Sequence, residues 1–110
     1  MLQYSYRYNI VSGKAGAYRD WLVANDKDLH EHTPPGWTYL GTWFAVRGFG
    51  DFDCEARFDV ESYESLGSGF GDEDAQRLLR DLFTEYIDWT TRPVATLYRS
   101  PGEVRIVPSM

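Results

Sequence analysis

Arg7 and Asn9, Tyr39 and Trp43, Glu55 and Arg57, and His30 and His32 are the residues of this chain whose types and spacing suit chemistry. An arginine such as Arg7 holds an oxyanion or carboxylate through a planar fork of donors. Asn9 and Tyr39 orient a ligand by hydrogen bonds, and Trp43 stacks on a flat ring. Glu55 and Arg57 add one charge of each sign. His32 is the expected proton-transfer group, because imidazole titrates near neutral pH. Arg7, Tyr39 and His32 therefore form the expected catalytic set, and Asn9, Trp43, Glu55 and Arg57 the expected substrate-binding set.

The two histidines are poorly spaced for a metal. Residues two apart on a helix project about 200° apart, whereas helical metal pairs sit at i and i+4. No metal and no other cofactor is expected. The competing reading places His32 at a helix end, where a cationic ring meets the dipole favourably, with His30 solvated. Cys54 is the single cysteine; it cannot make an internal disulfide, and its apolar alternates predict a buried, inert thiol. No Gly-x-Ser-x-Gly elbow and no phosphate-binding Gly-x-Gly-x-x-Gly occurs, so neither nucleophilic hydrolysis nor nucleotide binding is indicated.

The elements that must position these groups follow from periodicity. Residues 3–11 alternate, with Tyr4, Tyr6, Tyr8 and Ile10 on one side, and read as a strand. Ser12 offers a cap for a helix from Lys14, whose face carries Tyr18, Trp21, Leu22, Asn25, Leu29 and His32. Pro34-Pro35-Gly36 ends it. Residues 37–46 and 52–60 read as a hairpin turned by Gly48-Phe49-Gly50-Asp51. A short helical turn over 61–66 leads into Gly67-Ser68-Gly69-Phe70-Gly71, a linker or a lid. Asp72 caps a second long helix with a stripe through Ala75, Leu78, Leu79, Leu82, Phe83 and Tyr86. A fourth strand spans 94–99, residues 103–107 suit a short extra strand, and 108–110 form a loose end.

The order β-α-β-β-α-β is the ferredoxin-like pattern of the α+β class. Right-handed crossovers predict an antiparallel sheet in the order 4-1-3-2 with the helices on one face. By parity Phe52, Cys54, Ala56 and Phe58, with Leu40 and Phe44, lie under the helices. The uncovered face then carries Ser5, Arg7, Asn9, Tyr39, Gly41, Trp43, Asp53, Glu55 and Arg57, with Tyr98 or Arg99. A one-residue slip would exchange every assignment on a strand.

The chain has 110 residues, the length of one domain, taken here as 1–110. Seventeen acids against eleven Lys and Arg give a net charge of −6, which argues against nucleic-acid binding. Arg47-Gly48-Phe49-Gly50 resembles the opening of an RNA-recognition signature, but Asp51 stands where that signature stacks a base. No apolar run is long enough to cross a bilayer and no signal peptide is apparent, so a cytoplasmic protein without membrane contact is expected. Aromatic residues reach 16 %. Eighteen rings exceed what one small core readily hides, so some are expected to line a pocket or a subunit contact.

The element order, the aromatic first strand and the long second helix together resemble the dimeric α+β barrel superfamily. That superfamily includes NIPSNAP-like and EthD-like proteins, antibiotic-biosynthesis monooxygenases, muconolactone isomerases and polyketide cyclases. The resemblance covers Tyr4 to Val107 and is one of pattern, without a short diagnostic motif. It implies a homodimer packed through the open sheet faces, with a pocket between sheet and helices or inside the barrel. It further implies a small organic ligand, aromatic, phenolic or polyketide-like, with chemistry of the cofactor-free monooxygenase, cyclase or isomerase kind. Arg7, Asn9, Tyr39 and Trp43 are of the types such monooxygenases use. Haem is disfavoured, since residues 72–90 lack a histidine. The alternative is a non-enzymatic dimeric interaction or structural module with no ligand pocket.

Overall fold

A computed structural model describes residues 1–69 and 72–104. Four strands form one antiparallel sheet: β1 (Leu2–Tyr8), β2 (Trp37–Phe44), β3 (Cys54–Val60) and β4 (Val94–Arg99). Their order is β2-β3-β1-β4, the expected 4-1-3-2 read from the other edge. Tyr4, Tyr6 and Tyr8 stand opposite Phe58, Ala56 and Cys54. Three helices, α1 (Ala15–Ala24), α2 (Asp26–Glu31) and α3 (Glu73–Asp81), complete the α+β fold. The core lies between sheet and helices, with Tyr8, Ile10, Tyr18, Cys54, Ala56 and Ile87 buried together.

The first helical segment is interrupted, not continuous to His32. Asn25 turns its side-chain amide onto the Trp21 carbonyl at 2.8 Å, and its own N–H donates to the same oxygen at 3.0 Å. A short polar side chain thus competes for the backbone, and α2 starts afresh. Ser12 makes no cap; Lys14 occupies the N-cap without a side-chain capping bond. Asp72 does cap α3, accepting from the Ala75 N–H at 2.7 Å. That helix ends earlier than its apolar stripe suggests, in a π turn over Leu82–Tyr86. Beyond the turn Ile87 bridges to Ile10, and the Asp88 N–H reaches the Asn9 carbonyl at 2.8 Å. The long helix is traded for a seam that sews the end of β1 to this segment.

Strand ends are also shorter than alternation predicts. β2 stops at Phe44 and β3 begins at Cys54, where Gly48 and Gly50 take positive φ in a wide reversal, and β1 stops at Tyr8, after which Asn9 and Ile10 bond Asp53 instead. The Tyr63–Gly67 turn is 3₁₀, and Trp37 donates its indole N–H to the Ser65 carbonyl at 2.7 Å. Of the proposed extra strand, Glu103 lies in a 3₁₀ turn over Pro101–Glu103. Residues 105–110 and the Phe70-Gly71 end of the glycine-rich loop lie outside the described residues.

One irregularity decides where the chemistry goes. In the pairing of β2 with β3, Tyr39 faces Phe58, but the next partner of β2 is Gly41, opposite Arg57. Leu40 is the extra residue of a β-bulge. Gly41 has φ +128°, a conformation that favours glycine. The bulge reverses parity along β2, so Trp37 and Tyr39 fall on the helix side along with Thr42 and Phe44.

Candidate functional site

The bulge corrects two assignments. Tyr39, expected on the uncovered face beside Trp43, is buried beneath the helices against Phe58, with ring centroids 5.4 Å apart. Leu40, expected under the helices, is instead part-exposed and borders the uncovered face. The seven candidate residues therefore divide into three groups, separated by the sheet.

On the helix side Tyr39 and His32 meet in one partly enclosed cavity of about 70 Å³. Its walls combine Tyr8 from β1, Tyr18 and Trp21 from α1, Phe58 from β3 and Leu78 and Leu82 from the α3 segment. At roughly 30 Å³ per water the cavity has room for about two waters, which is less than half of the roughly 150 Å³ that takes a benzene ring and below the roughly 300 Å³ usual for ligand pockets. The expected stripe of the first helical segment faces it, since Tyr18, Trp21, Leu22, Leu29 and His32 all line it. The polar groups on its wall are few. The Tyr39 hydroxyl bonds the Thr42 hydroxyl at 2.5 Å, and the Tyr8 and Tyr18 hydroxyls bond each other at 2.5 Å. Burial pushes the Tyr8, Tyr18 and Tyr39 phenols up from the ordinary tyrosine value, so all three stay neutral hydrogen-bonding groups. Thr33 is turned away, donating to the Trp37 carbonyl at 2.8 Å.

His32 sits where α2 meets the N-terminus of α3. Its Nδ1 lies 3.0 Å from Asp72 Oδ2, and its Nε2 lies 3.9 Å from Asp28 Oδ1 and 3.8 Å from Asp74 Oδ2. The hydrogen bond to Asp72, and then the nearby carboxylate charges, raise the His32 pKa above the ordinary imidazole value. The Asp72 carboxyl is lowered by the Ala75 N–H and by His32. Both imidazole nitrogens thus face carboxylates, and the ring meets the cavity as wall. This orientation does not suit the expected direct proton transfer to a ligand. Asp28, Glu31 and His32 bring donor atoms within 4.8 Å of one another. So acidic a nest favours the protonated imidazole, and we read these groups as ion pairs.

On the uncovered face Arg7, Trp43, Glu55 and Arg57 do come together. Arg7 stands opposite Glu55, and Trp43 opposite Glu55 on the other flank of β3. Arg57 stacks over Trp43 at 5.2 Å and bonds Glu55 through its Nε, while Arg7 lies over Phe52 at 5.7 Å. Burial works against the Glu55 charge, but the Arg57 hydrogen bond and the Arg57 and Arg7 charges leave its pKa lowered. The Arg7 Nε is buried without an acceptor among the described residues. Trp43, Glu55, Arg57 and Tyr98 border an open hollow of about 360 Å³. Of Tyr98 and Arg99, Tyr98 is the one on this face, since it stands opposite Gln3.

Asn9 belongs to neither place. Its Oδ1 accepts from the Asp53 N–H at 2.9 Å, and Asp53 Oδ2 accepts from the Ile10 N–H at 2.9 Å. The two side chains fasten the end of β1 to the start of β3. Sequence reasoning missed Tyr8, Tyr18, Thr42 and Phe58 as cavity residues. Their signal was present in the aromatic face of residues 3–11, but a buried tyrosine pair reads as core until the void beside it is seen.

No protein-family model matches the sequence, and a search of curated proteins found no significant match. Among solved structures, an uncharacterized NIPSNAP domain protein from Burkholderia xenovorans superposes with a TM-score of 0.67 at 12 % identity. The match covers 96 % of this chain and 100 % of that one. The fold is therefore NIPSNAP-like and ferredoxin-like; at that identity the likeness is one of fold.

Proposed function

We propose that this chain binds a small single-ring organic molecule, phenolic or quinone-like, in the cavity between sheet and helices. The observation that carries the reading is the composition of that cavity: aromatic and aliphatic walls with a few convergent hydroxyls. That is the usual makeup of a small-molecule site. A single ring enters between Tyr8, Trp21 and Phe58 only as α2 and α3 part to enlarge the cavity, and its oxygen then meets the Tyr39–Thr42 hydroxyl pair. If the site also transforms its ligand, the classes in keeping with it are isomerisation, cyclisation or cofactor-free oxygenation of a phenol, with Tyr39 as the group that touches the reacting oxygen.

The same proposal makes the protein a homodimer joined through the uncovered sheet faces. That face exposes Trp43, Tyr98 and Val94, and Trp43 is 50 % exposed. Along it Arg7, Glu55, Arg57 and Asp59 alternate in sign on neighbouring strands. A twofold contact requires a self-complementary patch, and alternating charges among rings satisfy that requirement. These features also favour a second reading, a dimeric interaction module in which the cavity is a packing void.

Phenol titration followed by two-dimensional NMR separates the two. The ligand reading expects saturable shifts at Tyr8, Trp21, Tyr39 and Thr42, abolished by Ala75→Leu, which fills the cavity. Absence of saturable shifts at millimolar phenol would overturn it. Native mass spectrometry of the purified protein tests the dimer, with Trp43→Glu expected to give a folded monomer. A wild-type monomer at micromolar concentration would remove the dimer.

A further inference from the structure

His32 closes the seam between two helices that both wall the cavity. Leu29, His32 and Thr33 come from α2 and its cap, and Ala75, Leu78 and Leu79 come from α3. Around the imidazole stand Asp28 from α2, Asp72 at the cap of α3 and Asp74 in its first turn. Arg77 of α3 reaches back to Asp28 at 3.7 Å, and Glu31 of α2 is engaged by Lys27 at 3.9 Å. Apart from the Arg77–Asp28 contact, the ion pairs across this seam among the described residues all run through His32.

We propose that His32, held by Asp28, Asp72 and Asp74, is a proton-operated latch between α2 and α3 that sets how readily a ligand enters and leaves the cavity. With a protonated imidazole, one cation satisfies three carboxylates drawn from both helices. Without the proton, Nδ1–H still bonds Asp72, but Asp28 and Asp74 face a neutral ring and repel each other across the seam. Arg77 then remains as a cation on Asp28, at 3.7 Å. Both helices are short, six residues in α2 and nine in α3, and so depend on packing for their order. The latch is therefore closed on the acid side of the His32 titration and loosened on the alkaline side. The part of the inference that concerns a ligand rests on the cavity reading above; the seam itself does not.

The test uses the intact chain at roughly pH 5.5 to 8.5, the range that brackets imidazole titration. Hydrogen-exchange protection factors of the His32 and Gln76 amides, already corrected for intrinsic exchange, read the seam. NMR exchange rates of phenol read the ligand. In the wild type, protection falls and phenol exchange quickens several-fold along a single titration curve. His32→Gln, checked for folding by circular dichroism, gives flat profiles. Asp74→Asn, which removes one carboxylate and no cation, moves the midpoint to lower pH. Flat wild-type protection, or a wild-type curve that persists in His32→Gln, overturns the latch. If phenol fails to bind while protection follows the titration, the ligand reading falls and the latch stands as a conformational switch.

Discussion

Replacing Gly41 by alanine tests the bulge on which the placement of Tyr39 depends. Gly41 holds φ +128°, a region that L residues rarely adopt, and an added Cβ would lie 3.3 Å from the Trp43 ring. Backbone strain of this kind costs about 1–3 kcal/mol. The ring contact adds little, because Trp43 is half exposed and can swing away. For a domain of this size, each kcal/mol lowers the melting temperature by about 4–8 °C. The expected result of Gly41→Ala is thus a loss of about 1–3 kcal/mol in urea unfolding, with the slope unchanged. The same substitution in a Trp43→Ala background should cost as much, since the strain lies in the backbone. A Gly41→Ala protein within about 0.5 kcal/mol of wild type, the range of ordinary surface changes, would refute the argument. So would full rescue by Trp43→Ala, which would assign the cost to crowding. Ring-to-ring NOEs between Tyr39 and Phe58 report whether the variant keeps its register.

Tyr18→Phe removes one of the two hydroxyls, Tyr18 and Thr42, that bond the fully buried Tyr8 hydroxyl, and should destabilise by about 0.5–1.5 kcal/mol. The Tyr8→Phe/Tyr18→Phe double variant should lose less than the two single losses combined, as a double-mutant cycle will show. The His32 pKa is raised in the fold, so its contribution to stability is complete below the ordinary imidazole value and is lost as pH rises through the raised one. Asp72, whose pKa is lowered, contributes above the ordinary carboxylate range and loses that contribution as pH falls. Urea midpoints measured across pH should decline on both sides, and His32→Gln should remove the alkaline decline. Burial pushes the Cys54 thiol pKa far up, so a thiol reagent should modify Cys54 only after denaturant has unfolded the chain.

The strand order and the helix-facing set Cys54, Ala56 and Phe58 were legible because period-two alternation survives wherever a strand is regular. Tyr39 was misplaced for the same reason: alternation carries a single phase, and one extra residue at Leu40 inverts it. Gly41 was the visible hint, since a glycine inside a strand pattern often marks a bulge. The interrupted first helix had a hint as well, in Asn25, whose amide favours local bonds over helical ones. Ser5, Arg7, Glu55 and Arg57 were read correctly as neighbours on the uncovered face, whereas Phe52, expected under the helices, lies against Arg7 there, because it precedes the regular part of β3. Asn9 lies one residue beyond the end of β1, where its amide fastens Asp53. A pocket between sheet and helices was one of the two places that the resemblance implied, but its lining was not legible in the residues, because a void is a property of how α1, α2 and α3 sit on the sheet.

The position of β1 in the sheet has a consequence for the birth of the fold. β1 is the first strand in the chain, yet it lies inside the sheet, between β3 and β4. Its pairing with β3 joins residues more than forty positions apart, and its pairing with β4 joins residues more than eighty apart. During synthesis, β1 must wait for distant chain before either edge is satisfied, and its β4 edge waits longest. Arg7 and its neighbours along β1 then present a free strand edge until Val94 to Arg99 emerge. Folding dominated by such distant pairings is slow for a chain of this length, and for that interval the aromatic strand Tyr4–Tyr6–Tyr8 is a site where a nascent chain pairs with the wrong neighbour or is held by a chaperone.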